Sequence, residues 1–235
     1  MSSITWTPRA VSSKTRPFRE SVWRIVEAQH VASTMKLVDS DEEQDLLEDM
    51  LESSKPPLPS SPKGLDYLLA TPFRYPPHPG GSRFRGPVDP GVFYGADTVK
   101  TACAELGYWR WKFLRDAVDL DRIEPVPHTA FKSRLDTQAV DLRTAPFNRD
   151  AKLWTSPNDY SAAQAFGRIA RESGVGAIIY KSIRNPEPAW CIAVLTPSAF
   201  KQKKPDPIKQ TWHLAVFSDH IVWRRDENES FAFKY

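Results

Sequence analysis

From Gly176 to the C terminus the chain is a series of short apolar and β-rich runs separated by turn residues. They are Gly176–Tyr180, Ala189–Leu195, Gln210–Phe217, His220–Arg224 and Ser230–Phe233. Each has the length of a strand and is too short to stand as a helix, so this last quarter of the chain must build a sheet. Fewer helical patterns accompany it, and the predicted fold class is α+β. The 235 residues suffice for one sizeable core with an appendage.

Helical spacing marks the remaining elements. Val22, Ile25, Val26 and Gln29 follow at intervals of three and four, which predicts a helix from Ser21. A second is predicted from about Ser40, with Leu46, Leu47, Met50 and Leu51 as a narrow apolar stripe. The segment KPPLPSSP at Lys55–Pro62 cannot be helical and reads as an extended connector. Residues 1–63 are therefore expected to be a helical extension, and 64–235 the main domain. KGLDYLLATPFRY predicts a short helix or turn and then a strand-like piece ending at Arg74-Tyr75, before a Pro/Gly loop over 76–81. Further helices are expected from near Asp97 to Ala117 and within Asn158–Ser173, and β-structure over His128–Leu142.

Several function classes lack support. No glycine-rich phosphate loop, GxGxxG or zinc-spaced Cys/His set is present, and the five histidines are scattered. No apolar run approaches the roughly 18 residues that cross a membrane, and the N terminus is not a secretory signal. With two cysteines, Cys103 and Cys191, a disulfide framework is not expected and a cytoplasmic setting is. The net charge of +3 does not itself imply nucleic-acid binding. Asp39–Glu52 holds eight acidic residues and no basic one, so the rest of the chain is basic, which suits an anionic ligand or simply a solvated mixed surface.

The candidate site lies in Gly80–Arg110, where a glycine pair and Arg83 and Arg85 precede a short strand at Val92-Phe93-Tyr94 and then a helix. Arg83 offers a planar fork for a phosphate or carboxylate. Tyr94 offers a stacking face and a hydroxyl. Glu105 falls just off the apolar stripe Val99, Ala102, Cys103, Leu106, Trp109 and Phe113, where a carboxylate can project into a cleft. Ser182 follows a predicted strand and could donate to a phosphate. The same residues are also readable as a surface arginine, a core tyrosine and a solvated glutamate, and the residues alone leave this open. Cys103 and Trp109 are assigned to packing.

FRYPPHPGGSRF, PGVFYGADTVKTACAELGYWR and IARESGVGAIIYKSIRNPEPAWCIAV, in that order, resemble the RES domain over roughly Leu68–Leu195. That family is named for an arginine, a glutamate and a serine, which fall here at Arg83, Glu105 and Ser182. Arg83 and Tyr94, and Tyr94 and Glu105, are each eleven residues apart, similar to the family's pattern. Residues before 64 resemble an extension of longer family members, and Asp119–Asp159 is longer than the family leads one to expect.

The resemblance implies an ADP-ribosyltransferase-like fold, with strongly bent antiparallel sheets and flanking helices. It implies a toxin of a toxin–antitoxin pair that cleaves the nicotinamide–ribose bond of NAD+ by phosphorolysis or hydrolysis. NAD+ and inorganic phosphate would be substrates, with no bound cofactor or metal, and a helix-turn-helix antitoxin would be the partner. Catalytic roles fall to Glu105, Arg83 and Tyr94, and NAD+ binding to Arg74, Tyr75 and Ser182, with Arg85 and Arg184 as nearby candidates. Transfer of ADP-ribose to a protein, or a non-catalytic binding module, remains open as an alternative. The extension could regulate the site, form a homodimer surface or dock the antitoxin.

Overall fold

The computed structural model describes residues 6–28, 64–75, 79–226 and 229–235, with positions 40, 42, 43, 46, 47 and 50. The expected second helix falls mostly, and the proline-rich connector wholly, outside the described residues. Ten strands form one mixed sheet in the order β1-β5-β6-β7-β3-β2-β4-β8-β9-β10. They are β1 Arg16–Phe18, β2 Ser21–Glu27, β3 Phe93–Ala96, β4 Ile123–Arg134, β5 Thr137–Asp141, β6 Ala177–Lys181, β7 Trp190–Val194, β8 Lys209–Val216, β9 His220–Arg224 and β10 Ser230–Lys234. All neighbours are antiparallel except β5 and β6. Among the described residues five α-helices accompany the sheet: α1 Pro8–Ser12, α2 Tyr67–Arg74, α3 Val99–Asp116, α4 Ala151–Trp154 and α5 Ser161–Glu172. No described helix is long and apolar enough to cross a membrane.

The segment from Ser21 is a strand, not the expected helix. It sits mid-sheet, paired with β4 from Ser21↔Arg134 to Glu27↔His128 and touching β3 at Trp23↔Ala96. Val22 is buried in one core cluster, with Phe93, Phe131, Ile192 and the α2 residues Leu69 and Phe73. Ile25 belongs to the other, with Cys103 and Ala104 of α3 and Phe166 of α5. A strand covered on both faces loses its two-residue alternation, so its apolar spacing imitates a helix. β1 and β2, which lie within the stretch expected to be a helical extension, are strands of the same sheet as the rest.

The expected strand-like piece at Arg74-Tyr75 is the end of α2, capped by Asp66 and carrying Pro72. The other expected helices and strands lie where the sequence puts them, within a few residues. In α3 the buried face is rotated from the expected stripe. Ala104, Gly107 and Tyr108 face the core, while Trp109 and Phe113 are 46% and 58% exposed. The cause is Gly107, where a Cβ would stand 2.0 Å from Ile221 Cδ1. The helix comes down onto β9 at its smallest residue and turns Trp109 and Phe113 outward.

Candidate functional site

A cleft of about 330 Å³ opens between α3, the sheet and the loop that precedes β3. Arg83, Tyr94 and Glu105 all line it.

The Arg83 wall is a tight turn. Gly81 takes φ +70, and a Cβ there would meet the Arg85 carbonyl at 2.2 Å, so only glycine fits. Ser82 and Arg85 pair across the turn. Gln164 of α5 donates to the carbonyls of Gly80 and Ser82, both at 3.1 Å. Gly167 lets α5 approach the Phe84 backbone, where a Cβ would lie 2.5 Å from its carbonyl. The Tyr94 hydroxyl accepts from Phe84 N at 3.0 Å and lies 2.8 Å from Ser82 Oγ. Tyr94 thus holds the turn from below while its half-buried ring faces the cleft, and enclosure of the hydroxyl pushes its pKa up.

Arg83 itself is buried. Its Nη1 donates to Trp154 O at 2.8 Å and Ser156 O at 2.9 Å, and its guanidinium lies 4.5 Å over the Tyr160 ring. Both carbonyl bonds leave from one nitrogen, so the rest of the planar fork stays available to a ligand. Arg184 adds a second cation to the lining, fixed by Pro157 O at 2.7 Å and resting on the Tyr108 ring.

Glu105 forms the opposite wall. Ser182 Oγ donates to Glu105 Oε1 at 2.6 Å, a charge-assisted bond, and the Cys191 thiol lies 3.6 Å from the same oxygen. Burial and then the Glu105 charge push Cys191 well up, so it is a thiol and no nucleophile. Burial pushes Tyr180, another lining residue, up as well. A carboxylate gripped from behind, with aromatic rings around it, can stabilise a developing cation and orient a sugar hydroxyl.

Other expected residues fall elsewhere. Ser182 is 2% exposed and stands behind Glu105, outside the cleft lining, so its hydroxyl serves the carboxylate and not a phosphate. Arg74 and Tyr75 end α2 and do not line the cleft. Tyr75 instead accepts a bond from Arg85 Nη2 through its carbonyl, and Arg85 Nε holds Asp89 O, so Arg85 is structural. Cys103 is fully buried packing, but Trp109 is a lining residue and not core.

The sequence reading missed Tyr160, Tyr180, Cys191 and Arg24. Arg24 lies where β2 and β3 part, donating from Nη1 to the Tyr94 carbonyl at 2.7 Å with its guanidinium 4.7 Å over the Phe93 ring. Burial pulls its pKa down to about 10, and its Nε has no partner. It remains a cation at neutral pH, bordering the cleft floor. No signal pointed to it once the strand had been read as a helix. Among the described residues no three His, Cys, Asp or Glu are grouped to hold a metal ion.

A search of curated proteins finds no match. Among solved structures the chain is similar to one in the crystal structure of the M. tuberculosis MbcT–MbcA toxin–antitoxin complex. That match has a TM-score of 0.45 and 14% identity, over 97% of this chain and 91% of that one, and is too loose to carry an argument. The family profile described as "RES domain" matches residues 58–216, well over half of the chain and all of the Arg83, Tyr94, Glu105 and Ser182 positions, and the protein therefore belongs to the RES-domain family.

Proposed function

We propose that this protein cleaves the nicotinamide–ribose bond of NAD+ in the cleft between Arg83 and Glu105. The observation that carries the reading is the pairing of a buried arginine, only one of whose nitrogens is engaged, with a carboxylate held by a buried serine on the opposite wall. NAD+ presents a doubly charged pyrophosphate and, next to it, a ribose bonded to a cationic ring. Arg83, backed by Arg184, is suited to the first and Glu105 to the second. As the C1′–N bond breaks, its electron pair passes to the ring nitrogen, nicotinamide leaves neutral, and positive charge moves to the ribose. Glu105 stabilises that charge, much as a carboxylate does in glycoside cleavage. The rings of Tyr94, Tyr160 and Trp109 give flat surfaces for the two heterocycles.

A phosphate oxygen attacking C1′ gives ADP-ribose 1″-phosphate. Water attacking there gives ADP-ribose and a proton, and a protein side chain gives a modified protein. Phosphorolysis or hydrolysis is the reading we favour. Family resemblance further supports a toxin restrained in the cytoplasm by a helix-turn-helix antitoxin. The test is nicotinamide release from NAD+ by the purified protein, with and without phosphate. Loss of nicotinamide release in Glu105→Gln, with the fold intact, is expected; retained release would overturn the assignment. Phosphate-dependent release identifies phosphorolysis, phosphate-independent release hydrolysis, and label appearing on protein identifies transfer.

A further inference from the structure

Ser182 can orient Glu105 only if its own single proton points there, and the surrounding bonds decide that. A hydroxyl has one proton and two acceptor positions. Ser182 Oγ accepts from Asn185 N at 3.3 Å and Arg184 N at 3.4 Å, which fills both positions. The proton is left with Glu105 Oε1, at 2.6 Å. Those two backbone donors belong to the loop after β6, so the loop's position controls the proton.

The loop is fixed by one buried side chain. Asn185, 9% exposed, accepts from Glu187 N at 3.1 Å through Oδ1, which leaves Nδ2 for Thr101 Oγ1 at 3.0 Å. Thr101 is fully buried on α3, one turn before Glu105, so loop and helix are joined at two points one turn apart. Thr101 Oγ1 then lies 2.8 Å from Thr98 Oγ1, and Thr98 caps α3 by accepting from Thr101 N at 3.1 Å. The chain of bonds therefore closes on the helix that carries Glu105.

We propose that Asn185 is a positioning residue for Glu105. Through Thr101 it locks the Ser182 loop onto α3, so that the serine proton is committed to the carboxylate. The proposal rests on the cleft being the NAD+-cleaving site.

The test is a double-mutant cycle in kcat for nicotinamide release. Asn185→Ala should lower kcat by about tenfold or more, the scale expected when a reacting group is misplaced by up to an ångström. KM for NAD+ should change less than kcat, because Arg83 is seated separately and Arg184, though on the same loop, is also held by Pro157 O. In a Ser182→Ala background the same substitution should cost nothing further. Thr101→Val should reproduce the loss and Thr101→Ser, which keeps the hydroxyl, should restore it. Losses that multiply, a change confined to KM, or an equally damaged Thr101→Ser would overturn the proposal. Were the wild-type protein to release no nicotinamide, the functional reading would fail, and the same cycle read in melting temperature would judge the lock alone. Coupled shifts for Ser182 and Asn185 would then uphold the lock, and additive ones would remove it.

Discussion

The two walls of the cleft are built differently. On one side a cation is seated by main-chain carbonyls, those of Trp154 and Ser156, and its turn is pinned by Gln164 and a tyrosine hydroxyl. On the other side a carboxylate is held by a succession of side chains: Ser182, then Asn185 and Thr101. Carbonyls neither rotate freely nor titrate, so the first wall is a fixed electrostatic surface on which an anion can settle. The second wall gets its direction from the placement of single protons. Such a division suits an enzyme that must bind a constant group and act on a changing one, and it predicts that damage on each side has a distinct kinetic character.

The largest expected effect tests the carboxylate wall. Glu105→Gln keeps the shape and removes the charge, and nicotinamide release should fall by about 10² or more in kcat, the usual scale for a lost transition-state electrostatic contact. Steady-state kinetics beside a circular dichroism spectrum would check it, and a variant as active as wild type would erase the distinction between the walls.

On the cation wall, Arg83→Lys replaces a fork by a point charge, which cannot both satisfy two carbonyls and present donors to a ligand. KM for NAD+ should rise about tenfold, in line with the loss of one good charged hydrogen bond, while kcat changes less. A larger fall in kcat than in affinity would show that Arg83 acts on the reacting atoms themselves.

Trp109 lies at the rim, between the two. Its Ala variant should weaken NAD+ binding by about two- to tenfold, the worth of one aromatic contact, measurable as KM or by titration calorimetry.

The smallest effect is one of pH. Burial raises the pKa of Tyr94 in the folded state, so the protonated hydroxyl contributes stability in full below the ordinary tyrosine value near 10 and loses it as pH climbs through the raised folded value. Tyr180 acts in the same direction, and Arg24, pulled down to about 10, opposes them. Melting temperature should fall by about 2–4 °C between pH 9 and 11, and by less in Tyr94→Phe. An equal fall in that variant would remove Tyr94 from the account.

What could be read in the sequence follows the same division. Arg83, Tyr94 and Glu105 stand on consecutive elements, turn, strand and helix, so their meeting could be argued from local patterns. Gln164, Tyr160 and the carbonyls at 154 and 156 reach the cleft only through the packing of α5 and its preceding turn, which no spacing announces. Trp109 was misassigned because helical periodicity locates an apolar stripe but not which part of it meets the sheet. That was decided by Gly107, through contact with Ile221. Ser182 follows a strand that the sequence announces, but that its hydroxyl meets Glu105 is a matter of ångströms that no spacing carries. The misread strand at Ser21–Glu27 hid Arg24.

That strand also bears on what may be cut away. The family match starts at residue 58, yet the piece of chain between β3 and β4 comes from residues 21–27. A protein that began at residue 58 and kept the rest of the chain, β9 and β10 included, would be two half-sheets, each with an open edge facing the other across a slot one strand wide. Such a fragment should aggregate through those edges, and a peptide of residues 6–28 added to it should fill the slot and restore both sheet and cleft, as the missing piece does in fragment complementation.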